Sequence, residues 1–341
     1  MRPSVGFVLY ALAAIVVLTL TQWNGINAYV QIVIMFIGIN IILSSSLNLI
    51  NGYMGEFSCG HAGFMAVGAY IASILNVWLF ASDQVFGPPL FPPSSALFLF
   101  PVTLLIGGIG AALAGLLVAV PSFRTRGDYL AIITLAVNYI VKSSIENIQA
   151  IGGARGFMGM RKVVKSMTEA IDLPWVMIWI FVSVGITVWL IRRFVNSTYG
   201  KGMVAIRDDE IAAEIMGVNT RRIKMIAFML SSGLAGVAGG LFAHILGYIN
   251  PGSFTILKST EVMVMVYLGG MASLSGSVMS AVVFTLLLEL LRPLQVLKWV
   301  VVPLMLIVLM LFRPEGIMGN RELSDVFPKL RRWFQAKEPT S

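Results

Sequence analysis

Long apolar runs recur along the whole 341-residue chain. The longest are close to the roughly 20 residues that an α-helix needs to cross about 30 Å of hydrocarbon. Hydrophobic residues make up 57% of the sequence and charged residues 12%, about half the charge of a typical soluble domain. So few charged residues cannot cover a water-exposed surface, which excludes a water-soluble globule. The sequence therefore predicts an all-α, polytopic membrane protein that forms one transmembrane domain over residues 1–341.

Ten apolar stretches are predicted to form transmembrane or re-entrant helices. Four of them are short or interrupted by glycine, so a tilted, broken or re-entrant helix is an alternative to a full crossing there. The first stretch has the length of a signal-peptide core, but no small-residue cleavage site follows before Gln22, which favours a retained helix. The ten stretches are 5–22, 29–50, 58–80, 97–120, 128–142, 174–192, 225–248, 259–272, 277–291 and 296–312, and the four short ones begin at 128, 259, 277 and 296.

The distribution of basic residues indicates the orientation of these helices. With the N-terminus inside, cytoplasmic segments hold 16 of the 24 Lys and Arg residues: seven from Arg192 to Lys224, six in the tail 313–341, and Arg2, Arg124 and Arg126. Cytoplasmic loops of membrane proteins carry such an excess, so both termini are predicted to lie inside. The basic stretch 142–165 is the exception, and an amphipathic element at the outer surface is expected there.

Small residues recur at four-residue spacing in two of the apolar stretches. One ladder runs from Gly107 through Ala111 to Gly115, and the other from Ser232 to Gly240. In lipid, helices associate where small residues allow their backbones to approach closely. These ladders therefore predict helix contacts, within one subunit as the favoured interpretation and against a second membrane subunit as the alternative.

The residues needed for enzyme chemistry are absent from the sequence. The two histidines, His61 and His244, are about 180 residues apart and belong to no metal-binding motif. No nucleophile elbow occurs, and the single cysteine, Cys59, excludes an internal disulfide. We therefore predict no catalytic residue, no bound metal and no cofactor held by this chain.

The sequence also lacks a site for ATP hydrolysis. The Gly200-Lys201 pair is followed by glycine and is not preceded by a glycine at the spacing of a phosphate-binding loop. If the chain takes part in ATP-driven transport, a separate subunit must use the ATP. This chain must then offer that subunit a cytoplasmic docking element.

The basic loop 193–224 contains a candidate for that element. Residues 208–216 favour a short helix, with acidic residues in the first turn, where the helix dipole stabilises negative charge, and glycine as the C-terminal stop. Three large apolar residues would form a stripe, with two alanines that permit close approach to a partner groove. A helix lying on the membrane surface is the alternative. The stripe is Ile211, Ile215 and Met216, and the predicted coupling residues are Arg207, Asp208, Asp209, Glu210, Ala212, Ala213, Glu214 and Gly217.

This loop resembles the cytoplasmic loop of ABC importer permeases, whose pattern is a Glu-Ala-Ala triplet followed by glycine. Ile211 stands where the glutamate of the triplet belongs. The chain as a whole resembles the LivM-type permeases of branched-chain amino acid ABC transporters, and Ala272 stands where glycine is common in that family. The resemblance rests on NGYMGEFSCGHAGFMAVGAY (51–70), FRTRGDYLAIITLAVNYIV (123–141), the loop itself, INPGSFTILKSTEVMVMVYLGGMASLSGSV (249–278) and LFRPEGIMG (311–319).

The resemblance implies the fold and function of an ABC importer permease in the bacterial inner membrane. It implies a sister permease subunit, two ATP-binding subunits that use the ATP, and a periplasmic binding protein that delivers the substrate; no nucleic-acid partner is expected. Branched-chain amino acids are the expected substrates, with urea or short amides as the alternative. The loop GGARGFMGM (152–160) lacks the acidic residue usual near Arg155 in relatives, which bears on substrate choice.

Polar residues at membrane depth are the candidates for the transport path, because they are costly there unless they serve a purpose. One group is Asn48, Glu56, Ser58 and His61, and a second is Tyr129, Thr134 and Asn138 on one predicted helix. Capping of a helix break and hydrogen bonds between helices are the alternative roles, and for His61 alone an interhelical hydrogen bond is favoured.

A secondary transporter driven by an ion gradient is the competing hypothesis. In that case Glu56, Glu261 and Glu289 would be proton or sodium sites within the apolar stretches. For Glu289, an ion pair with Arg292, three residues further on the same helical face, is the favoured alternative.

Overall fold

The computed structural model describes residues 5–23, 25–81, 87–92, 95–123, 129–312 and 316–319, and most of these residues are helical. The helices are α1 (Val5–Gln22), α2 (Ala28–Asn48), α3 (His61–Phe80), α4 (Ala96–Ser122), α5 (Tyr129–Asn147), α6 (Met160–Ala170), α7 (Trp175–Val195), α8 (Thr198–Asp208), α9 (Glu210–Ile215), α10 (Thr220–Leu246), α11 (Ile256–Gly269), α12 (Leu274–Leu290) and α13 (Lys298–Phe312).

Six helices in the described part of the chain are long and apolar enough to cross a membrane, judged by length and composition. They are α2 with its continuation to Tyr53, α3, α4, α5, α7 and α10. The remaining apolar stretches also fold as helices, α1, α11, α12 and α13, with 14 to 18 residues each. The prediction of a polytopic helical membrane protein is confirmed.

The centre of the molecule is a close packing of α3, α4 and α10. A Cβ atom on Gly68 of α3 would overlap the backbone of Gly236 in α10, and a Cβ on Gly236 would overlap the side chain of Ala111 in α4. On the same side, a Cβ on Gly115 would overlap Ser232. Both predicted ladders therefore meet each other inside this chain, where only small residues let the three backbones come together.

A polar seam joins α2 to α12 beside this centre. Asn40 Nδ2 donates to Thr285 Oγ1 at 2.9 Å, and Ser44 Oγ donates to the carbonyl of Ser277 at 2.9 Å. All of these residues are buried. Buried polar groups in lipid need partners from the protein, and the seam supplies them to the Asn40 amide nitrogen and the Ser44 hydroxyl from a helix that is far away in sequence.

Helical structure is interrupted between α2 and α3. Helix α2 continues as a π-helical turn over Leu49–Tyr53, a helix type that is often found at functional sites. Residues 54–60, here called the polar segment, have no regular structure. Helix α3 then starts at His61, whereas the sequence predicted a helix from residue 58, and the N–H of Ala62 in its first turn donates to Ser259 Oγ at 3.0 Å.

The basic stretch 142–165 contains an amphipathic surface helix, as expected. In α6, Met160, Val163 and Met167 are buried while Arg161 and Lys165 are exposed. A short antiparallel pairing of Phe157–Met158 with Tyr248–Ile249 precedes this helix, so the expectation of a purely α fold was incomplete. Glycines with positive φ, Gly156 (+89°) and Gly159 (+121°), flank the pair and end helical structure on both sides.

Several basic residues used to infer orientation fall outside the described part of the chain. These are Arg2, Arg124, Arg126 and the tail 313–341 apart from residues 316–319. In that short piece, the N–H groups of Ile317 and Met318 donate to the carbonyls of Leu268 and Gly269 at the end of α11.

Candidate functional site

Asn48, at the end of α2, is held by the turn between α11 and α12. Its Nδ2 donates to the carbonyl of Ser273 at 2.9 Å and to Ser277 Oγ at 2.7 Å, and its Oδ1 accepts from the N–H of Ala272 at 3.1 Å. The amide is fully buried. Its bonds fasten α2 to α12, which is the interhelical role given as the alternative in the sequence analysis.

His61, at the start of α3, contacts the other side of α2. Its Nε2 lies 2.8 Å from Ser46 Oγ, and Ser231 of α10 donates to the carbonyl of Ser46 at 2.6 Å. His61 and both serines are buried. The histidine thus makes the interhelical hydrogen bond favoured by the sequence analysis, at a point where three helices meet.

The second predicted polar group is brought to the same place by α5. Thr134 Oγ1 accepts from the N–H of Cys59 at 3.1 Å, and a Cβ on Gly60 would overlap the Thr134 carbonyl. Asn138, one turn further along α5, lies against Gly63 of α3. Thr134 and Asn138 are buried, so this face of α5 covers the polar segment and the first turn of α3.

Tyr129 does not share that face. Its side chain is 60% exposed, and the five residues that separate it from Thr134 turn it to another side of α5. The prediction that it belongs to the same polar stripe was wrong. The buried stripe consists of Thr134 and Asn138.

The polar segment itself is largely shielded from solvent. Ser58 is buried and its N–H donates to Asn51 Oδ1 at 3.3 Å. Cys59, which follows it, is partly buried, and this burial raises the pKa of its thiol. A thiol in these surroundings is a weak nucleophile, because the thiolate is the reactive form.

Glu56 in the polar segment forms an ion pair that the sequence analysis did not find. Lys224 of α10 places its Nζ 2.5 Å from Glu56 Oε1 and 2.7 Å from Glu210 Oε1 of α9. A cavity of about 250 Å³ lies beside these three side chains. The signal available in the sequence was a lone lysine just inside an apolar helix, where an ammonium needs a partner.

The basic loop 193–224, here called the docking loop, folds as two helices. Helix α9 lies within the single helix predicted over residues 208–216, and α8 precedes it. Helix α8 ends at Asp208, and Asp209 is extended with its Oδ1 accepting from the N–H of Ala212 at 3.0 Å. Aspartate at such a position caps the next helix and interrupts the previous one. Gly217 has φ +82° and ends α9 as predicted.

The apolar stripe predicted on this helix is exposed. Ile211, Ile215 and Met216 are 62%, 79% and 83% exposed. Ala212 is exposed as well, but Ala213 is 5% exposed and faces the protein, so it is not available to a partner as predicted. Exposed apolar groups of this density on six helical residues indicate a surface that is covered by something else.

The charged residues around the stripe are held by neighbours in the same loop. Arg207 pairs with Asp208 at 3.3 Å, and Glu214 Oε1 accepts from Thr220 Oγ1 at 2.8 Å. Glu210 is the acidic residue of the first turn of α9. The predicted coupling residues therefore lie together on one compact loop between α7 and α10.

The remaining acidic residues in apolar helices are also paired. Lys258 Nζ lies 2.9 Å from Glu261 Oε2, and both side chains are less than 20% exposed. Arg292 lies 3.1 Å from Glu289, as the sequence predicts from their spacing. Each of the three acids proposed as an ion site in a secondary transporter thus has a cationic partner, which counts against that hypothesis.

Comparison with known proteins identifies the family. A family model described as "Branched-chain amino acid transport system / permease component" matches residues 28–312. The chain belongs to this family. The resemblance seen in the sequence motifs is confirmed, and the match includes both the polar segment and the docking loop of this permease.

Three relatives show which permeases the chain is similar to. The permease protein LivM of the high-affinity branched-chain amino acid transport system of Escherichia coli K12 is 31% identical over an alignment 304 residues long, which covers 82% of this chain and 68% of that protein. LivH of the same organism and system is 27% identical over 132 residues, 38% of this chain and 42% of that protein. The probable ABC transporter permease YphD of E. coli K12 is 32% identical over 97 residues, 27% and 29% of the two chains. No solved structure matches the chain.

Proposed function

We propose that this chain is the transmembrane permease subunit of an ATP-driven importer of branched-chain amino acids. The names of its relatives support the substrate class and, through YphD, the ABC mechanism. The paired acids Glu56, Glu261 and Glu289 give no support to an ion-driven transporter. Nothing among those names favours urea or short amides.

The observation that carries the proposal is the exposed stripe of α9. A six-residue helix capped by Asp209 and ended by Gly217 presents Ile211 and Ile215 to the outside of the chain. In this proposal the stripe enters a groove on an ATP-binding subunit, as helix-in-groove recognition requires. The permease binds no ATP itself, and the two ATP-binding subunits use it.

The proposed topology has ten crossings with both termini inside. Gly68 and Ala72 of α3 pack against Gly236 and Gly240 of α10 in the same order, so the two helices run in the same direction. If α9 is cytoplasmic, both helices run outward, as odd numbers of crossings from an inside N-terminus require. The bacterial inner membrane is the expected location, since an importer of this kind works there.

The transport path in this proposal lies between this chain and a sister permease subunit, which LivH exemplifies for LivM. In this topology the polar segment joins the second crossing, α2, to the third, α3, on the cytoplasmic side of the path. Asn48, Glu56, Ser58, His61, Thr134 and Asn138 border or support this connection. A periplasmic binding protein delivers the amino acid from outside and confers most of the selectivity.

The test is a substitution on the stripe with a matched control. Ile215→Asp puts a charge on the proposed docking surface, and Ile171→Asp puts the same charge on an exposed isoleucine after α6, outside that surface. We expect the first variant to lose co-purification of the ATP-binding subunits and the second to retain it. Normal assembly and normal stimulated ATPase activity in the Ile215 variant would overturn the docking assignment.

A further inference from the structure

The side chain of Lys224 joins three parts of the chain, one of which is 168 residues away in sequence. Lys224 belongs to the second turn of α10, Glu210 is the first residue of α9, and Glu56 lies in the polar segment. The ammonium is within hydrogen-bonding distance of both carboxylates. Helix α9, here called the docking helix, and the polar segment are therefore held to the same point of α10.

The lysine side chain in this contact is largely shielded from water. It is 7% exposed, and the ring of Phe123 at the end of α4 lies 5.8 Å from Nζ. A buried ammonium is strongly unfavourable without partners, so it holds the carboxylates that neutralise it. Without the lysine, two carboxylates would face each other, and the docking helix and the polar segment would repel.

Beyond Glu56, the polar segment leads directly to α3. A Cβ on Gly55 would overlap the side chain of Arg207 in α8, so the start of the segment also rests on the docking loop. Its other end is tied to α5 by the hydrogen bond from Cys59 to Thr134, and His61 follows two residues later. A displacement of the segment therefore acts on the first turn of α3.

We propose that Lys224 is a positioning residue that carries movement of α9 to the polar segment and from there to α3. This inference rests on the proposed function, in which an ATP-binding subunit holds α9. The pairs Glu210–Lys224 and Lys224–Glu56 act in series, one after the other. Breaking either pair interrupts the link, and breaking both adds nothing further.

The experiment measures leucine imported per ATP hydrolysed. The permease is reconstituted in proteoliposomes with its sister permease, ATP-binding subunits and binding protein. Glu56→Gln, Glu210→Gln and the double variant are compared with wild type. We expect each single variant to lower the ratio at least fivefold while ATP hydrolysis continues, and the double variant to match the singles.

Two further variants separate this link from a general effect on folding. Glu261→Gln breaks an ion pair of similar burial in α11 that is not part of the link, and we expect an unchanged ratio. Lys224→Arg keeps the charge and is expected to retain most of the coupling, whereas Lys224→Met is expected to lose it. An equal loss in the Glu261 variant would mean that any buried ion pair matters, which would overturn the proposal.

The series arrangement makes the proposal easy to contradict. Unchanged ratios in both single variants, or a double variant whose loss is the product of the two single losses, would show that the two pairs act independently. Failure of the proposed function looks different: the Ile215→Asp complex would assemble normally, or wild type would hydrolyse ATP without importing leucine. If Ile215→Asp loses docking as expected but the glutamine variants keep the wild-type ratio of leucine to ATP, only the proposed role of Lys224 is wrong.

Discussion

Asp209 caps the docking helix by accepting a hydrogen bond from the N–H of Ala212 at 3.0 Å. The bond satisfies one of the backbone donors left free at the start of α9. Because α9 has only six residues, it cannot persist as an isolated helix and depends on such local contacts. The Asp209 carboxylate is thus one of the contacts that set the orientation of the exposed stripe.

The first prediction follows from this cap. Asp209→Ala is expected to destabilise α9 by about 1 kcal/mol, the usual cost of losing an N-cap, and to reduce the ATPase activity stimulated by the binding protein. Asp208→Ala is the control, since it removes a neighbouring carboxylate that pairs with Arg207 and does not cap α9. Equal activities of the two variants in the assembled complex would show that the cap is not needed for docking.

The docking loop also shows which structural features could be predicted from the sequence. The stop at Gly217 and the pair Glu289–Arg292 depend on neighbours within a few residues, and both were predicted correctly. The break at Asp209 was missed because aspartate is equally compatible with the first turn of one longer helix. Burial of Ala213 was missed because it depends on which side of α9 faces the rest of the loop.

Contacts between residues that are far apart in the sequence could not be predicted. Glu56 and Lys224 are separated by 168 residues, and no local pattern connects them. The small-residue ladders are the exception, because close packing in lipid requires small residues wherever the partner lies. They identified which helices pack at the centre, whereas the polar partners of Asn48 and His61 appeared only with the fold.

The second prediction concerns Ala272, where the family resemblance led us to expect glycine. Its φ is +60°, the left-handed conformation that costs a residue with a Cβ about 1 kcal/mol. Ala272→Gly is expected to raise the free energy of unfolding by about that amount while keeping the N–H bond to Asn48. Thermal unfolding of the purified permease in detergent provides the measurement.

Ala235→Gly is the control for that substitution. Ala235 lies inside α10, where glycine is unfavourable, and stability is expected to fall by about 1 kcal/mol. If both glycine variants are destabilised, the left-handed conformation at Ala272 is not a source of strain.

The third prediction concerns Cys59 in the polar segment. Burial raises the pKa of its thiol, so less thiolate is present at pH 7 than for an exposed cysteine, and labelling by a maleimide is expected to be slow. The rate should keep rising with pH beyond the point where an exposed thiol has levelled off. An Ile171→Cys substitution in a Cys59→Ser background provides the exposed comparison, because Ile171 lies outside the docking loop.

Transport should change this labelling rate. If the polar segment moves during the cycle, ATP turnover in the complete complex is expected to accelerate labelling of Cys59 several-fold, with little change at the exposed position. A rate that is the same with and without ATP would mean that the segment stays closed throughout transport.

The last prediction compares two buried asparagines. Asn48 uses both ends of its amide in hydrogen bonds, whereas Asn76 of α3 is fully buried and neither of its amide atoms has a hydrogen-bond partner among the described residues. An unpaired buried polar group costs about 1–3 kcal/mol. Asn76→Leu should therefore raise the thermal stability of the permease. Asn48→Leu, the same chemical change, should lower it because the partners in the α11–α12 turn lose their bonds. A loss of stability in both variants would show that the Asn76 amide is bonded in the membrane, for example through a buried water molecule.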